Sequence, residues 1–587
     1  ISVFCSVCQQ TVYPYHLLYH KRTHKALALL GFDSLQRNTD NKRLLAQRQK
    51  LISKLTKTRK FSETHRQKID YSFEFLKNNH APISYCDLAN INNPSISKKV
   101  NNSLIKALSI CQDKNSTWQG DMEDTFIVLD NYGNRADTCF LGLVDGSHGV
   151  TAAETVAAEL PLLFLDQLAQ TDPSYKKNKD EQQILDSFAT VINADYMEKE
   201  RIFSDKADDE TNKTNTYEWI HKAYAKSFWR MDRLLRLGRN EVSKVRWSGC
   251  SAVTCLVERI PSEEIGGTDK EEGKLSENNT QTPLARTAKG VAGLLHIANI
   301  GNAHAVLCKN GKSHCLSKEH STSNESERQR ILQNGGNIST NEPDGLVEGH
   351  LRTTRGLGHH GDPVLKSSVI PVPHTMSVRI DDTCQFLILA SNGLWEVLDY
   401  NEVLALTLAT FTHYLRMYEC VQKNTASPCK SQYLMPLTED NLNNSEAADE
   451  LQDGTDILYS NEDIFLTDSK GNLEQDNPKC SWKNYLQKEM DPNVFCSKPA
   501  SYTGQELPKT LSPEGSKPPP ESEEDTKPNP SNHDSQTAGR GSVTPETLYS
   551  GAASYISEQL VKTALAAGSR DNITVLILLL NGCDKIP

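Results

Sequence analysis

Carboxylate side chains recur beside short apolar runs that are typical of buried strands. Asp145 directly follows one run, and Glu123 and Asp124 directly precede another. Asp571 lies just before the last apolar run of the chain. An isolated Asp-Gly after a strand is in most proteins only a turn, but carboxylates that converge from several strand ends bind hard divalent ions such as Mg2+ or Mn2+. Two such ions bridged by one aspartate can activate a water molecule for attack on phosphorus.

The segments around these residues predict the elements that would position them. Residues 140–149 combine an apolar run, Asp-Gly and small polar residues, which is typical of a buried strand that ends in a tight turn before a helix. Residues 386–396 repeat this order, with Asn392 where the first segment has Asp145. The periodic segments predict strands over 126–129, 140–144, 250–257, 294–300, 305–309, 386–390 and 573–580, and helices over 152–168, 217–237, 325–334, 403–414 and 545–568.

A second group of metal-ligand residue types lies near the beginning of the chain. Cys5, Cys8, His20 and His24 follow the pattern C-x2-C-x11-H-x3-H. Two thiolates from a hairpin and two imidazoles one helical turn apart can close a tetrahedron around Zn2+, although the central spacing is shorter than usual. The pattern resembles a single C2H2 zinc finger, and the alternative is a chance cluster. One finger reads about three base pairs and binds nucleic acid poorly.

Length and composition favour an intracellular protein with more than one domain. The chain has 587 residues, 24% of them charged and 37% hydrophobic, and a formal net charge of -11, which argues against a general nucleic-acid binder. Its 15 cysteines show no framework spacing, and neither a signal peptide nor a long apolar span is visible, so we expect free thiols and a cytoplasmic or nuclear location. Because the chain begins at Ile1, we expect its natural N-terminus to be missing or removed.

Two long polar segments flank or interrupt the predicted globular part. Residues 29–110 carry helical patterns, and a basic amphipathic helix over 43–55 could contact a partner or a nucleic acid, although a docked helix with a solvated face is favoured. Residues 420–541 lose periodicity and are rich in Asp, Glu, Asn, Ser and Pro, so we expect a disordered insertion. We expect this insertion to be dispensable for folding, because the free energy of loop closure depends weakly on length.

The motifs of this chain, in their order, resemble those of the metal-dependent protein phosphatase 2C family. The resemblance implies an α+β fold of two antiparallel β-sheets sandwiched between helices, to which the zinc-finger-like segment would be an addition. It also implies Mg2+ or Mn2+ as cofactors and phosphoproteins or signalling proteins as partners. The segments that carry it are Met122–Asp124, Val144–Gly146, Ser248–Val253, Ala298–Asn302, Gly335–Gly336, Leu351–Gly358, Leu387–Leu398 and Ser569–Val575. The implied domains are a finger over 1–28, a helical polar extension over 29–110, the main phosphatase-like part over 111–419, the insertion over 420–541 and a C-terminal helix and strand over 542–587.

By this resemblance, part of the family's metal-ligand set is retained. Asp145 matches the aspartate that bridges the ions, Glu123 matches the glutamate ligand and Gly146 matches the carbonyl ligand. Asp571 matches the last aspartate ligand. One ion site built on Glu123, Asp145 and Gly146 is therefore expected to survive with weak affinity.

Other metal positions of the family are substituted. Asn392 and Asn302 each stand where the family has an aspartate, so the shape of the side chain stays and its charge is lost. His359 stands where the family has a further aspartate. Disturbing even a group behind the ligands typically costs ~10–100-fold in metal affinity or activity, so we expect the loss of a ligand charge to cost at least as much.

The positions that the resemblance assigns to substrate binding and proton transfer are also changed. Gln119 replaces the arginine that binds phosphate, and glutamine cannot form the charged fork that holds a phosphate dianion. Ser147 replaces the histidine that acts as general acid, with His148 displaced by one position. The loss of a general acid lowers the rate by about 10²–10⁴-fold. No catalytic position of the family is intact.

The sequence therefore predicts a pseudophosphatase, a phosphatase fold that serves binding or scaffolding in phosphorylation signalling. The alternative is a slow Mn2+- or Mg2+-dependent serine/threonine phosphatase, in which His148 supplies the acid and Arg352 or Arg355 holds phosphate. A role with nucleic acid through residues 1–70 is the least favoured. No membrane association is expected.

Overall fold

The computed structural model describes residues 2–33, 40–57, 63–78, 94–188, 217–236, 244–260, 292–339, 344–422, 457–460 and 545–586. The strands in these ranges are β1 (Val3–Phe4), β2 (Thr11–Val12), β3 (Ile96–Lys98), β4 (Ile105–Asp113), β5 (Thr125–Leu129), β6 (Thr138–Ser147), β7 (Gly249–Arg259), β8 (Gly293–Ile300), β9 (His304–Lys309), β10 (Lys312–Cys315), β11 (Leu357–Gly358), β12 (His374–Ile380), β13 (Cys384–Ala390), β14 (Ile457–Ser460) and β15 (Ile573–Leu580). The labelled helices are α1 (Pro14–Leu29), α2 (Asn41–Lys57), α3 (Glu63–Lys77), α4 (Thr151–Thr171), α5 (Glu218–Leu235), α6 (Lys244–Trp247), α7 (Glu325–Gln333), α8 (Pro363–Ser368), α9 (Asn392–Trp395), α10 (Tyr400–Gln422) and α11 (Pro545–Ala566), and residues 179–188 are also helical.

Two antiparallel sheets dominate the described part of the chain. The first has the strand order β10-β9-β13-β15-β4-β3, and the second has the order β14-β12-β8-β7-β6-β5, with β11 paired to β7. Strand β15 occupies the middle of the first sheet, between β13 and β4. Its sequence is apolar at nearly every position because both of its faces are buried.

Three apolar layers hold the sheets and helices together. Side chains from β4, β6, β7, β9, β13 and β15 form a core between the two sheets. Helices α4 and α5 cover the outer face of the second sheet, and α10 and α11 cover the outer face of the first. The predicted α+β fold of two antiparallel sheets sandwiched between helices is confirmed.

The predicted boundary between the helical extension and the phosphatase-like part is wrong. Residues 29–110 were expected to be helical and polar, but Ile96–Lys98 and Ile105–Asp113 are strands of the first sheet. Strand β4 has Leu108 and Ile110 in the core between the sheets and Cys111 on the helix-covered face. A strand buried on both faces lacks the alternation that distinguishes it from a helix in the sequence.

The predicted insertion over 420–541 contains at least one ordered element. Helix α10 extends to Gln422, and Ile457–Ser460 form β14, which pairs with β12 at the edge of the second sheet. The expectation of disorder is therefore wrong at residues 420–422 and 457–460. The remainder of the insertion lies outside the described residues, and its dispensability stays a prediction.

The described residues among the first 77 form a ββα unit over 2–33 and two further helices, α2 and α3. The apolar sides of α2 and α3 pack on Leu30 at the end of α1, with Leu44, Ile69 and Phe73 buried. The basic helix over 43–55 is thus a docked helix with a solvated basic face, which was the favoured expectation.

Two further observations concern the environment of the chain. Ten cysteines, those whose side chains the structure describes, are free thiols. None of the helices found in those ranges combines the length and the apolar character that a membrane crossing requires.

Candidate metal centres

The hairpin of β5 and β6 brings the first two acidic segments together. Asp145 lies near the end of β6 and Glu123 lies just before β5, and both strands pair in register. Gly146 permits this approach, because a Cβ atom at this position would lie 2.3 Å from the backbone oxygen of Glu123. The Glu123 Oε1 atom accepts a hydrogen bond of 2.9 Å from the Gly149 amide, which fixes the glutamate against the turn after β6.

The pair of β13 and β15 brings the other two segments to the same end of the sandwich. Asn392 is the first residue of α9, separated by one residue from the end of β13, and Asp571 lies just before β15. Gly393 permits the contact, since a Cβ atom here would lie 2.1 Å from the backbone oxygen of Asn572. The Asn392 amide N–H donates to Asp145 Oδ2 at 2.8 Å, so the two segment pairs meet directly.

Asp124 and Asp145 are buried, Glu123 and Asp571 are half-buried, and these carboxylates repel one another. Burial is the main cause that raises the pKa of Asp145 well above its ordinary value, and the charges of Asp124 and Asp571 add to it. Burial also raises the pKa of Asp124 to about 7, although Thr574 Oγ1 donates to it at 2.8 Å. The pKa of Glu123 is raised by burial, against the hydrogen bond from Gly149. Such a group of acids is typical of a site that binds a cation.

The side chain of Asn392 changes what this group requires. Its Nδ2 atom donates a hydrogen bond of 2.9 Å to Asp571 Oδ2. An ionised carboxylate only accepts hydrogen bonds, so the amide presents its nitrogen there. An aspartate at this position would instead place a second acceptor against Asp571, and the two would need a cation between them. The side-chain N–H of Asn392 thus stabilises Asp571, which would otherwise need a cation.

Comparison with known proteins decides the family. Residues 278–432 match the family described as Protein phosphatase 2C. The chain is 44% identical over 594 residues to the human protein named Protein phosphatase 2C-like domain-containing protein 1, with 99% of this chain and 89% of the human protein covered. The chain belongs to the protein phosphatase 2C family.

Two further relatives of the protein phosphatase 2C family agree with this. The mouse protein of the same name is 37% identical over 587 residues, covering 99% of this chain and 88% of the mouse protein. Protein phosphatase 2C homolog 1 of Saccharomyces cerevisiae is 26% identical over 294 residues, covering 50% of this chain and 78% of the yeast protein. The family consists of metal-dependent serine/threonine phosphatases, and the resemblance predicted from the motifs is confirmed.

The positions expected to serve substrate and proton transfer lie at the rim of the acidic group. Gln119 Nε2 donates to the backbone oxygen of Arg570 at 2.8 Å, and the Arg570 guanidinium lies 4.6 Å from the centre of the Trp118 ring. Ser147 is the last residue of β6, and its Oγ atom lies 3.0 Å from Nδ1 of His148. The structure therefore brings Gln119, Ser147 and His148 to the same end of the sandwich as the acids.

The two other substituted positions are engaged by neighbouring strands and loops. Asn302 Oδ1 accepts a hydrogen bond of 2.8 Å from Ser251 Oγ in β7. His359 is buried, and burial lowers the pKa of its imidazole to about 3, so it is neutral at pH 7. Its ring packs edge-on to the ring of His148, with 5.9 Å between centroids. Neither residue supplies the negative charge that an aspartate would.

Arg355 does not serve as the alternative phosphate ligand. Its guanidinium is buried and donates hydrogen bonds to Glu327 of α7. Arg355 Nε lies 3.0 Å from each carboxylate oxygen of Glu327, and a second guanidinium nitrogen also donates to this carboxylate. Burial opposes ionisation, but Arg355 and Arg330 nevertheless lower the pKa of Glu327 to about 2. This expectation from the sequence is corrected, because a bidentate buried pair leaves no face of Arg355 for phosphate.

Two residues that organise the site were not singled out from the sequence. Asn572 Oδ1 accepts from the backbone N–H of Glu123 at 2.8 Å, and its Nδ2 donates to the backbone oxygens of Lys114 and Asp121. Glu396 accepts from Ser569 Oγ at 2.7 Å and from the amide of the next residue. Both tie the Asp571 loop to the neighbouring acidic segments. Their signal was their position, one residue after Asp571 and four after Asn392.

The second candidate centre is the N-terminal cysteine and histidine group. The hairpin of β1 and β2 carries Cys5 and Cys8, and α1 carries His20 and His24 one turn apart. Their four ligand atoms lie within 4.8 Å of one another, and no other such group of three or more occurs among the residues that the structure describes. Nε2 of His20 lies 3.2 Å from Cys8 Sγ and 3.0 Å from Nε2 of His24. Tetrahedral Zn2+ would hold such ligands about 3.3–3.8 Å apart, so the group needs little adjustment to fit it.

Proposed function

We propose that this protein is a pseudophosphatase that uses the phosphatase 2C fold to bind phosphoproteins or signalling proteins. The hydrogen bond from Asn392 Nδ2 to Asp571 Oδ2 carries this proposal. It provides Asp571 with a partner inside the chain, so one ligand of the family site is satisfied without a metal. The lost charges at Asn302 and His359 weaken the site further.

The remaining residues fit one weakly held divalent ion. Glu123, Asp145 and the carbonyl of Gly146 would hold it, because they supply the oxygen donors that Mg2+ and Mn2+ prefer. Such an ion would polarise a phosphate or lower the pKa of a bound water. The chain lacks the arginine and the histidine that would complete that chemistry, since Gln119 carries no charge and Ser147 does not protonate a leaving group near pH 7.

Metal titration with turnover measured on the same sample tests this proposal. The full chain should bind Mn2+ weakly, with at most one ion, and should release no phosphate from a phosphopeptide at saturating metal. Peptide mass spectrometry of residues 387–398 has to accompany the assay, because deamidation of the Asn392-Gly393 pair would create an aspartate and mimic a weak enzyme. Robust Mn2+-dependent hydrolysis by undeamidated protein would refute the pseudophosphatase.

Two observations favour a slow phosphatase as the second candidate. Arg570 lies on the Trp118 ring beside Gln119 and provides a cation close to the position of the lost arginine. His148 contacts Ser147 Oγ and provides an imidazole next to the position of the lost acid. If this candidate is right, an Asp145→Asn variant will lose the Mn2+-dependent activity, and an Arg570→Met variant will raise the KM for phosphopeptide.

We also propose that Cys5, Cys8, His20 and His24 hold one structural Zn2+ ion. The convergence of four ligands of the right types in a ββα unit supports it. Elemental analysis of the purified full chain should give about one zinc per molecule, and a Cys8→Ser, His24→Asn variant should give none. A Cys315→Ser variant is the matched control, since Cys315 is a free, half-buried thiol outside the group. Zinc content that does not differ between these variants would contradict the site.

We propose an intracellular location for this function, in the cytoplasm or the nucleus. Ten free thiols in the described ranges support a reducing compartment. Fractionation of cells that express the full chain with an antibody to it tests this location, and recovery from the secreted fraction would contradict it.

A further inference from the structure

The N-terminal ββα unit lies against the corner that follows the acidic group. This corner, residues 396–402, connects α9 to α10. Lys21 of α1 donates from Nζ to the backbone oxygen of Val397 at 2.9 Å and forms an ion pair with Glu402. Ser6 Oγ donates to Asp399 Oδ2. The unit is thus joined to the phosphatase part by charged and polar contacts between residues nearly 400 positions apart in sequence.

The two acids at this corner form a capping box on α10. Asp399 Oδ1 accepts from the backbone N–H of Glu402 at 3.0 Å, and Glu402 Oε2 accepts from the backbone N–H of Asp399 at 3.0 Å. The Glu402 side chain is fully buried, and burial raises its pKa, while the hydrogen bond from Lys21 opposes this rise. Lys21 therefore supplies the charge that a buried capping carboxylate needs at the beginning of the helix.

Apolar contacts join the same two parts. Val3 and Leu17 are buried in the cluster that contains Leu394, Val397 and Val403. Leu18 reaches the other side of the acidic group, since a Cβ atom on Gly568 would lie 3.4 Å from Leu18 Cδ1. The unit consequently touches both the corner after Asn392 and the turn that leads to Asp571.

The face that a nucleic-acid-binding finger would use is partly covered in this unit and lacks the usual base-reading side chains. Such fingers read bases with the residues at −1, 3 and 6 relative to the helix start. These positions are Tyr13, His16 and Tyr19, because α1 begins at Pro14. The Tyr19 ring packs on Phe75 of α3, with 5.2 Å between centroids. None of the three is an arginine, asparagine or glutamine, which are the side chains that typically read bases in the major groove.

We infer that the finger acts as a zinc-dependent brace on the phosphatase fold, rather than as a nucleic-acid reader. Zn2+ closes the ββα unit, the closed unit presents Ser6 and Lys21 to the capping box of α10, and the box fixes the corner that begins at Glu396 and follows Asn392. Zinc loss would loosen this corner and, through the contacts of Glu396 with Ser569 and the Arg570 amide, the Asp571 loop. This inference rests on the zinc site proposed above.

Hydrogen exchange of the full chain, read by mass spectrometry, tests the brace. Removal of zinc by a chelator should raise exchange in residues 397–411 at least tenfold, while exchange in β6 and β7 stays unchanged. A Lys21→Met variant should keep its zinc and still show the faster exchange in this segment. Its melting temperature should fall by roughly 3–6 °C, because a buried carboxylate loses its cationic partner.

Arg22→Met is the matched control, since Arg22 is the next residue on α1 and is exposed. It should leave zinc content, exchange and melting temperature unchanged. One zinc per chain combined with unchanged exchange at 397–411 after chelation would overturn the brace and leave the zinc site standing. A full chain that carries no zinc would overturn both. Equal behaviour of Lys21→Met and Arg22→Met would also overturn the brace, because it would show that the docking contact is dispensable.

Discussion

The two metal-ligand groups of this chain differ in how their ligand atoms are satisfied without an ion. In the finger, four ligands of suitable type converge, and two imidazole nitrogens lie 3.0 Å apart. At the sheet ends, the amide of Asn392 binds Asp571, and the remaining acids are more widely spread. An asparagine in place of an isosteric aspartate can therefore remove the need for a cation, because its amide N–H donates to the neighbouring acid. The surrounding fold stays intact. The two groups therefore differ both in the partners of their ligands and in how closely the ligands converge.

The largest expected effect comes from restoring one metal ligand, the phosphate-binding arginine and the general acid together. A triple variant with Asn392→Asp, Gln119→Arg and Ser147→His should raise Mn2+-dependent turnover of a phosphopeptide by about 10²–10⁴-fold. The gain should exceed the product of the single-variant gains, because the acid acts only when metal and phosphate are in place. The same triple variant with Asp145→Asn is the control and should be inactive. A large gain from Ser147→His alone would contradict our inference that the acids at the sheet ends are satisfied without a cation, since it would show a working metal site.

Removing Glu327 should have the next largest effect. A Glu327→Gln variant should lose about 3 kcal/mol of unfolding free energy at pH 7, because Arg355 would remain buried without its partner. The pKa of Glu327 is lowered to about 2, so its contribution is present above pH ~4.5 and is lost as the pH falls toward 2. Denaturant unfolding between pH 7 and pH 2 measures both effects.

Glu325→Gln is the control for this prediction, because Glu325 is exposed on the same helix. It should change stability by less than about 0.5 kcal/mol. A small effect of Glu327→Gln would indicate that Arg355 is free to bind phosphate. The site would then retain a phosphate-binding cation that we infer it has lost.

Restoring the ligand charge at residue 392 alone should have a smaller effect. It should make the stability of the protein depend on bound metal. Asn392→Asp removes the donor to Asp571 and places two acids together, so the metal-free variant should be less stable than the wild type. Mn2+ affinity should rise by about 10–100-fold, and saturating Mn2+ should restore the melting temperature. Calorimetric titration and thermal unfolding with and without Mn2+ measure the two effects. A variant that gains no affinity would show that other losses, such as Asn302, already prevent binding.

The smallest expected effect is a gain in stability when one acid of the phosphatase site is neutralised. Asp145 is buried among like charges, so Asp145→Asn should raise stability by about 1 kcal/mol in the absence of metal. Glu154→Gln is the control for a change of net charge, because Glu154 is exposed in the first turn of α4. A loss of stability in Asp145→Asn that depends on added Mg2+ would show that wild-type protein holds an ion here.

Most of the sheets could be predicted from apolar runs, and the reasons for the exceptions are physical. Strands such as β6, β13 and β15 are buried on both faces and stand out as continuous apolar runs bounded by turn residues. Strand β4 was missed because it follows a long polar helical region and lacks alternation. Strand β12 was missed because its segment mixes His, Ser and Arg with apolar residues.

The site was predictable where it depends on single residues and unpredictable where it depends on pairs. Convergence of Glu123, Asp145 and Asp571 followed from their places at strand ends. The partner of Lys21 lies 381 residues away, and that of Arg355 lies in a different element, 28 residues away. Such pairings are set by the packing of helices and loops, and neither residue type nor spacing encodes them.

The place of β15 in the first sheet has a consequence for biosynthesis. This strand separates β4 from β13, so neither of them reaches its shared neighbour until the ribosome has made residues 573–580. Strand β4 is made more than 450 residues earlier, and at ~5–20 residues per second it waits for at least about 20 seconds with an unpaired apolar edge. We therefore expect nascent chains of this protein to need protection from aggregation, and a chain that stops before residue 573 to be unable to complete its first sheet.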